Sequence, residues 1–190
     1  MCSGLVANKS MQRPPSSNFV GAGEKEIVTL LDIYFATNGP SWKKQQGWLE
    51  EKDVSKWQGV TTSCGKVVEL SLGKRGMSGS LPSLANLVWL QKLNIMDNKL
   101  IGPLPESVAY LPRLESVRGS NNALSGPIPG GDDPNVFPSI TYFHVQKNKL
   151  SGKVPSVLLH HREGLDLRVQ PGNPGIVSES VSLSAPQFPM

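Results

Sequence analysis

Four segments of the chain repeat one pattern, and this repetition limits the possible folds more than any other feature. Each segment has apolar residues at matching positions and closes with a glycine, one intervening residue, an aliphatic residue and a proline. The segments are VVELSLGKRGMSGSLP from Val67, LQKLNIMDNKLIGPLP from Leu90, LESVRGSNNALSGPIP from Leu114 and ITYFHVQKNKLSGKVP from Ile140. Successive segments begin 23, 24 and 26 residues apart. A period of this length indicates repeat units that stack in line and share one core.

The start of each segment alternates between apolar and other residues, which predicts a short strand with one buried face. Because equivalent residues stack from repeat to repeat, we expect the strands to pair side by side as a parallel sheet. The first inward column is predicted to contain Leu70, Leu93, Val117 and Phe143. The second is predicted to contain Leu72, Ile95, Gly119 and Val145.

An asparagine follows the strand in three of the four repeats, at Asn98, Asn122 and Asn148. Its amide can donate and accept hydrogen bonds, so it can satisfy backbone groups that the bend leaves unpaired. The first repeat has Arg75 there instead, and we expect this turn to be irregular and exposed. Recurring glycines further predict positive φ or close backbone approach at one position of each repeat. These are Gly79, Gly102, Gly126 and Gly152.

The segment before the repeats combines a helix with a tryptophan-rich stretch. Apolar residues from Ile27 to Phe35 recur at helical spacing, and Asn38-Gly39-Pro40 predicts the end of that helix. Trp42, Trp48 and Trp57 then predict a small aromatic plug.

We divide the chain into five parts on these grounds. The predicted parts are a disordered tail at 1–22, an N-terminal cap at 23–66, four repeats at 67–164, a C-terminal cap at 165–177 and a flexible tail at 178–190.

These segments resemble the plant-type subclass of leucine-rich repeats, whose consensus contains L-x-x-N-x-L-S-G-x-I-P. The N-terminal cap of such proteins is resembled by three stretches of this chain, LLDIYFATNGPSWKKQQGWL, KWQGVTT and GKVVELSL. Their closing segment is similar to GNPGI at 172–176. The resemblance implies an α/β repeat fold, a leucine-rich-repeat solenoid of about four repeats. It would have a parallel sheet on a concave face, a helical N-terminal cap and a short C-terminal cap. Secreted members usually pair two cysteines around the W-x-G-V motif, whereas Ser55 and Thr62 stand near those positions here.

Charge and cysteine content bear on partners and location. The chain has 19 Lys and Arg and 15 Asp and Glu, which give a formal net charge of +4. Because the basic residues form no block, the sequence does not favour a nucleic acid as the partner. Cys64 is expected to be a free thiol, because Cys2 lies in the predicted tail. The first residues lack an apolar run of signal-peptide length, and no stretch is long and apolar enough for a membrane span. We therefore predict an intracellular location, or an extracellular one if the N-terminus is incomplete.

The outward positions of the sheet are the candidate binding site for a protein or peptide. The candidates are Lys92, Asn94, Met96, Ser116, Arg118, Ser120, Tyr142, His144 and Gln146. Arg118, Tyr142 and His144 carry most weight, because arginine and tyrosine are enriched at binding hot spots. The alternative is a solvated polar face with no partner.

No residue pattern points to catalysis or to a cofactor. His160-His161 lack further metal ligands, and Asp132-Asp133 lie in GGDDPNVFP, a lengthened segment that we expect to be an exposed loop. No nucleophile–base grouping, phosphate-binding glycine loop or Cys-x-x-Cys pair is present.

We therefore predict a non-enzymatic recognition or adaptor module without cofactor or metal. The alternatives are an extracellular receptor-like or inhibitor-like protein, or a structural subunit of a larger assembly. The oligomeric state stays open.

Overall fold

The computed structural model describes residues 12–160 and 164–177. The predicted tail residues 1–11 and 178–190, together with His161, lie outside the described residues. The helices are α1 at Glu24–Ala36 and α2 at Ser156–His160. The strands are β1 at Val60–Ser63, β2 at Lys66–Ser71, β3 at Ser78–Gly79, β4 at Lys92–Asn94, β5 at Lys99–Gly102, β6 at Ser116–Arg118, β7 at Ala123–Gly126, β8 at Tyr142–His144, β9 at Lys149–Gly152, β10 at Asp166–Arg168 and β11 at Gly175–Ile176.

In each repeat one strand precedes the asparagine turn and a second strand follows it, so the strands form two sheets. The first sheet has six strands in the order β1-β2-β4-β6-β8-β10, all parallel except the antiparallel β1. The second has five strands in the order β11-β9-β7-β5-β3. Leu93 stands beside Leu70 and Val117 in register, and all three side chains are buried. The predicted solenoid of parallel strands around one continuous core is confirmed.

Asparagines, half-buried at Asn98 and Asn122 and buried at Asn148, join each turn to the repeat before it. Asn148 Nδ2 donates to the carbonyl oxygen of Val145 in its own turn, at 2.9 Å, and to that of Gly119 in the preceding repeat, at 3.0 Å. Its Oδ1 accepts from Leu124 N at 3.1 Å. Asn98 and Asn122 make the same kinds of contact. The asparagine therefore satisfies groups of two repeats and not only of its own bend.

Arg75 is buried, so the prediction of an irregular, exposed first turn is wrong. Its side chain is 3% exposed, and its guanidinium donates to the carbonyl oxygens of Lys44, of Gln58 at 2.7 Å and of Ser71 at 3.1 Å. Burial lowers the pKa of Arg75 to about 10, so the group remains charged at neutral pH. Three backbone carbonyls compensate the buried cation, which the sequence argument did not consider.

The N-terminal cap closes the start of the solenoid with α1 and an aromatic cluster. Residues Ile27, Leu30, Leu31 and Tyr34 of α1 are buried. The Tyr34 ring stacks on Trp48, with ring centres 5.6 Å apart. Trp48 in turn lies 4.8 Å from Trp57 and 4.9 Å from Trp42. The rings thus cover the apolar end that the first repeat would otherwise expose.

Two segments expected to lie outside the core contribute to it. Phe19 is buried and packs edge-on against Trp57, and Val20 forms a bridge to Asp53, so residues 12–22 do not belong to a disordered tail. In GGDDPNVFP, Val136 and Phe137 are also buried, although Asp132 is exposed. In both segments an apolar side chain in a polar sequence context anchors the backbone.

The predicted C-terminal cap is a fifth, shortened repeat. Strand β10 pairs in parallel with β8, and β11 pairs in parallel with β9, so both sheets continue. Asn173 is fully buried, and its Nδ2 donates to the carbonyl oxygens of Val145 and Val169 at 2.9 and 2.6 Å. It extends the asparagine series by one member.

Candidate ligand-binding face

The six-stranded sheet presents a face of outward side chains, which we call the sheet face. In one row, the register aligns Lys92 with Ser116 and then with Tyr142. The next row aligns Asn94, Arg118 and His144. The inward residues between these rows are buried, so alternation along each strand directs the named side chains away from the core.

Arg118, Tyr142 and His144, which the sequence singles out, lie together. The central guanidinium carbon of Arg118 lies 4.8 Å from the centre of the Tyr142 ring. The rings of Tyr142 and His144 are 3.7 Å apart between centres and inclined by 33°. A cation over an aromatic face is held by the ring's quadrupole, so this contact restrains Arg118 while leaving it exposed.

His144 is only 5% exposed, so it offers little surface to a ligand, and its direct contact with a ligand stays a prediction. Neighbouring side chains cover it, because strand β10 adds Asp166 and Arg168 beside it. His144 Nε2 lies 2.9 Å from Asp166 Oδ1, and the same oxygen accepts from Arg168 Nε at 3.2 Å. The contact with Asp166 stabilises the charged form of the imidazole and acts to raise the pKa of His144.

The surroundings of His144 act on its charge in opposite directions. Burial lowers its pKa, Asp166 raises it, and Arg168 and Arg118 lower it further, with a net lowering. For Asp166, burial raises the pKa, but the contacts with His144 and Arg168 outweigh it and leave the pKa below its ordinary value. The cluster therefore favours neutral His144 between two arginines, with Asp166 ionised.

Sequence reasoning missed Asp166 and Arg168, although a signal for them exists. Leu167 follows Phe143 by 24 residues and Val169 follows Val145 by 24, so the alternation of the repeats continues through them. The resemblance of the following segment to a closing cap led the prediction to end the sheet one strand too early.

The remaining candidates differ in how far they reach solvent. Lys92 is exposed, whereas Asn94, Met96, Ser116 and Gln146 are half-buried. Ser120 is 9% exposed, so it offers little surface to a ligand, and its contact with a ligand stays a prediction. At Ser120 the chain bends into the turn, where its carbonyl oxygen accepts from Asp97 N at 3.0 Å and from Asn122 Nδ2 at 3.4 Å.

In residues 12–160 and 164–177, no group of three or more His, Cys, Asp or Glu side chains is placed to hold a metal ion. Cys64 is an exposed free thiol at the turn between β1 and β2. Across the same residues, no helix is long and apolar enough to cross a membrane.

The sequence matches no model of a known protein family. It is similar to curated plant receptors over its repeats. It is 33% identical over 122 residues to the LRR receptor-like serine/threonine-protein kinase GSO2 of Arabidopsis thaliana, which covers 60% of this chain and 10% of that protein. It is 30% identical over 149 residues to pollen receptor-like kinase 2 of the same plant, which covers 77% of this chain and 23% of that kinase. The chain thus spans less than a quarter of the length of these relatives.

Solved structures show the same fold. The ectodomain of the Arabidopsis thaliana receptor kinase HAESA, solved with a peptide hormone ligand, superposes with a TM-score of 0.62 at 24% identity, over 80% of this chain and 26% of that one. The BIR2 ectodomain from Arabidopsis thaliana superposes with a TM-score of 0.56 at 22% identity, over 83% of this chain and 96% of that one.

The stacked strands, the two sheets and the asparagine series define a leucine-rich-repeat solenoid. With the repeat consensus and the plant receptors that share it, the chain is a plant-type leucine-rich-repeat protein, as predicted.

The predicted intracellular location is contradicted by these comparisons. The similar proteins are receptor-like kinases that match in their repeats, and the similar structures are receptor ectodomains, which lie outside the cell. The prediction relied on the unpaired cysteines and on the first residues of the sequence, and neither feature determines the compartment.

Proposed function

We propose that the chain recognises a peptide or protein ligand outside the cell through the sheet face, as a receptor-like module. The observation that carries this proposal is the exposed Arg118 guanidinium, held over the Tyr142 ring on a face of parallel strands. Arginine and tyrosine supply much of the binding energy at protein interfaces, and restraint before binding lowers the entropic cost. Solenoids commonly bind through such surfaces.

The similar proteins support a receptor-like function. They are named as receptor-like kinases, and the HAESA ectodomain is described in complex with a peptide hormone. The matched part of these kinases is the repeat region. By analogy with the repeat region of these kinases, we infer for this chain only that it recognises a ligand.

We further propose that the described residues carry no catalytic activity. Asp166 lies beside His144, and a carboxylate next to an imidazole is one part of a catalytic acid–base pair. However, the imidazole is buried, and no hydroxyl or thiol of the described residues is hydrogen-bonded to it. A nucleophile in contact with the base is a minimum requirement for covalent catalysis.

The test is the affinity for a ligand captured with the full chain from its source. The double variant Arg118→Ala, Tyr142→Ala should weaken binding by more than about 1 kcal/mol per residue, as hot-spot truncations do, while the melting temperature stays nearly unchanged. The control, Lys99→Ala with Tyr110→Ala, removes one exposed cation and one exposed tyrosine away from the sheet face. It should bind as the wild type does.

The competing view is that a tail or a loop makes the contact and the solenoid is a spacer or structural subunit. Removing residues 1–11, and separately replacing Asp132 and Asn135 with alanine, tests this view. The core residues Phe19, Val136 and Phe137 stay intact in these variants. If either change abolishes binding while the sheet-face variant binds normally, the proposal is wrong.

A further inference from the structure

The charges on the sheet face are unevenly distributed along the solenoid. Around strands β2 and β4, opposite charges accompany each other: Glu69 stands beside Lys92 in register, and Lys74 Nζ lies 3.9 Å from Asp97 Oδ2. Around β6, β8 and β10 the described outward charged residues are Arg118, Arg168 and Asp166, with His144 between the two arginines, and the exposed Lys147 follows β8. Among the described residues, the C-terminal half of the sheet face therefore carries a net positive charge, even with His144 neutral.

Among the outward residues that the structure describes on β6, β8 and β10, the carboxylate of Asp166 is already engaged. Asp166 Oδ1 contacts both His144 Nε2 and Arg168 Nε. Arg118, in contrast, forms no ion pair within the described residues, and its guanidinium lies over the Tyr142 ring. Stacking uses the plane of a guanidinium and leaves its N–H groups at the edge free to donate.

We propose that Arg118, supported by Tyr142 and two strands from Arg168 in the same row of the sheet face, binds a side-chain carboxylate of an acidic residue in the ligand. This inference rests on the proposed function and adds the chemistry of the partner. A carboxylate accepts two parallel N–H···O bonds from one guanidinium, which gives both strength and orientation. Arg168 raises the local positive potential without donating through Nε, because Asp166 already occupies that nitrogen.

Asp166 sets how strongly the cluster attracts an anion. The negative charge of Asp166 offsets the positive charge of one of the two arginines. The groups that surround His144 are Asp166 and Arg168 from β10, Arg118 from β6 and Tyr142 from its own strand. Replacing Asp166 with asparagine removes one negative charge while nearly preserving the shape. The proposal therefore requires tighter binding of an acidic ligand by Asp166→Asn, and weaker binding by Arg118→Gln.

The experiment uses a random peptide library displayed on phage and selected against the full chain. The peptides are fused through their C-termini, so only side chains can supply carboxylates. For each selected peptide, its acidic residues are changed one by one to the matching amide, and affinity is measured for the wild type, Arg118→Gln and Asp166→Asn. Lys99→Gln with Lys149→Gln, on the five-stranded sheet, serves as the charge control.

We expect selected peptides to be enriched in Asp and Glu. One acidic-to-amide change should weaken binding to the wild type about tenfold, the scale of a charge-assisted hydrogen bond, but have little effect on binding to Arg118→Gln. Asp166→Asn should bind more tightly, and the lysine control should bind as the wild type does.

Two results would overturn the inference, and they are distinguishable. If selected peptides lose affinity for the Arg118→Ala, Tyr142→Ala variant but show no acidic enrichment and no coupling to Arg118→Gln, the sheet face binds ligands and the carboxylate assignment is wrong. If no selected peptide depends on the sheet face, both the carboxylate assignment and the proposed function fail.

Discussion

At the scale of the residue, Asn148 shows how one side chain holds two repeats together. Asn148→Ala would leave the buried Leu124 N without its acceptor, whereas the carbonyl oxygens of Gly119 and Val145 would each lose one donor and keep that of Asn122 or Asn173. An unsatisfied buried polar group costs about 1–3 kcal/mol, so we expect a loss of about 1–3 kcal/mol in the free energy of unfolding. Urea titration measures it. Asn18→Ala, at an exposed position, should change stability by less than about 0.5 kcal/mol.

His144 should make stability depend on pH. Because burial outweighs Asp166 and lowers its pKa in the folded state, the unfolded chain takes up the proton first. The free energy of unfolding should therefore fall as pH decreases through the ordinary histidine range, from about 7.5 to about 5.5. His144→Gln should reduce this dependence. An NMR titration that places the pKa of His144 above its ordinary value would contradict this account.

At the scale of the element, Arg75 joins the N-terminal cap to the first repeat. Arg75→Ala would remove the donors to Lys44, Gln58 and Ser71, and we expect the free energy of unfolding to fall by at least about 2 kcal/mol, since hydrogen bonds from charged groups contribute about 1.5–3 kcal/mol. Chemical denaturation measures the change. Lys25→Ala, on the exposed side of α1, is the control. Equal stability of the two variants would show that the cap docks without Arg75.

Gly119 offers the opposite case, a position where a larger residue fits. A Cβ there would lie 3.5 Å from Val145 Cγ1 and 3.8 Å from Ile95 Cδ1, which is ordinary contact, and its φ is not positive. Gly119→Ala should therefore raise the free energy of unfolding by about 0.4–1 kcal/mol, because alanine restricts the unfolded chain.

Gly59→Ala provides the contrast for Gly119→Ala. At Gly59 φ is +87°, and an added Cβ would lie 2.4 Å from the Ser71 carbonyl oxygen, so this variant should be destabilised. Thermal unfolding compares the two. A lower melting temperature for Gly119→Ala would show that the second inward column is packed more tightly than these distances indicate.

At the scale of the whole molecule, the parts predictable from sequence are those that repeat. Leu70, Leu93, Val117 and Phe143 could be placed in one column because the same alternation recurs at a nearly fixed period. The burial of Phe19, Val136 and Phe137 was not predictable in this way. Each of these residues lies in a polar, proline-containing segment that occurs only once in the chain. Only the tertiary contacts show that its side chain is buried.

The candidate site was predictable only in part, for a related reason. Register places Arg118 and Tyr142 together, because it depends on the repeat alone. The burial of His144 depends on Asp166 and Arg168, which follow the fourth repeat by way of α2 and a stretch without the repeat pattern. Arg75 likewise required knowledge of the cap, whose backbone carbonyls surround it.

The most direct test of the central claim, that the sheet face binds the ligand, is side-chain oxidation footprinting. The full chain is exposed to hydroxyl radicals with and without the captured ligand, and oxidation is read by mass spectrometry. Met96 and Tyr142 report on the sheet face, whereas Trp89 and Tyr110, 36% and 49% exposed, report on surfaces away from it. The account predicts that the ligand lowers oxidation of Met96 and Tyr142 and leaves Trp89 and Tyr110 unchanged. Protection of Trp89 and Tyr110, with Met96 and Tyr142 oxidised as in the free chain, would contradict it.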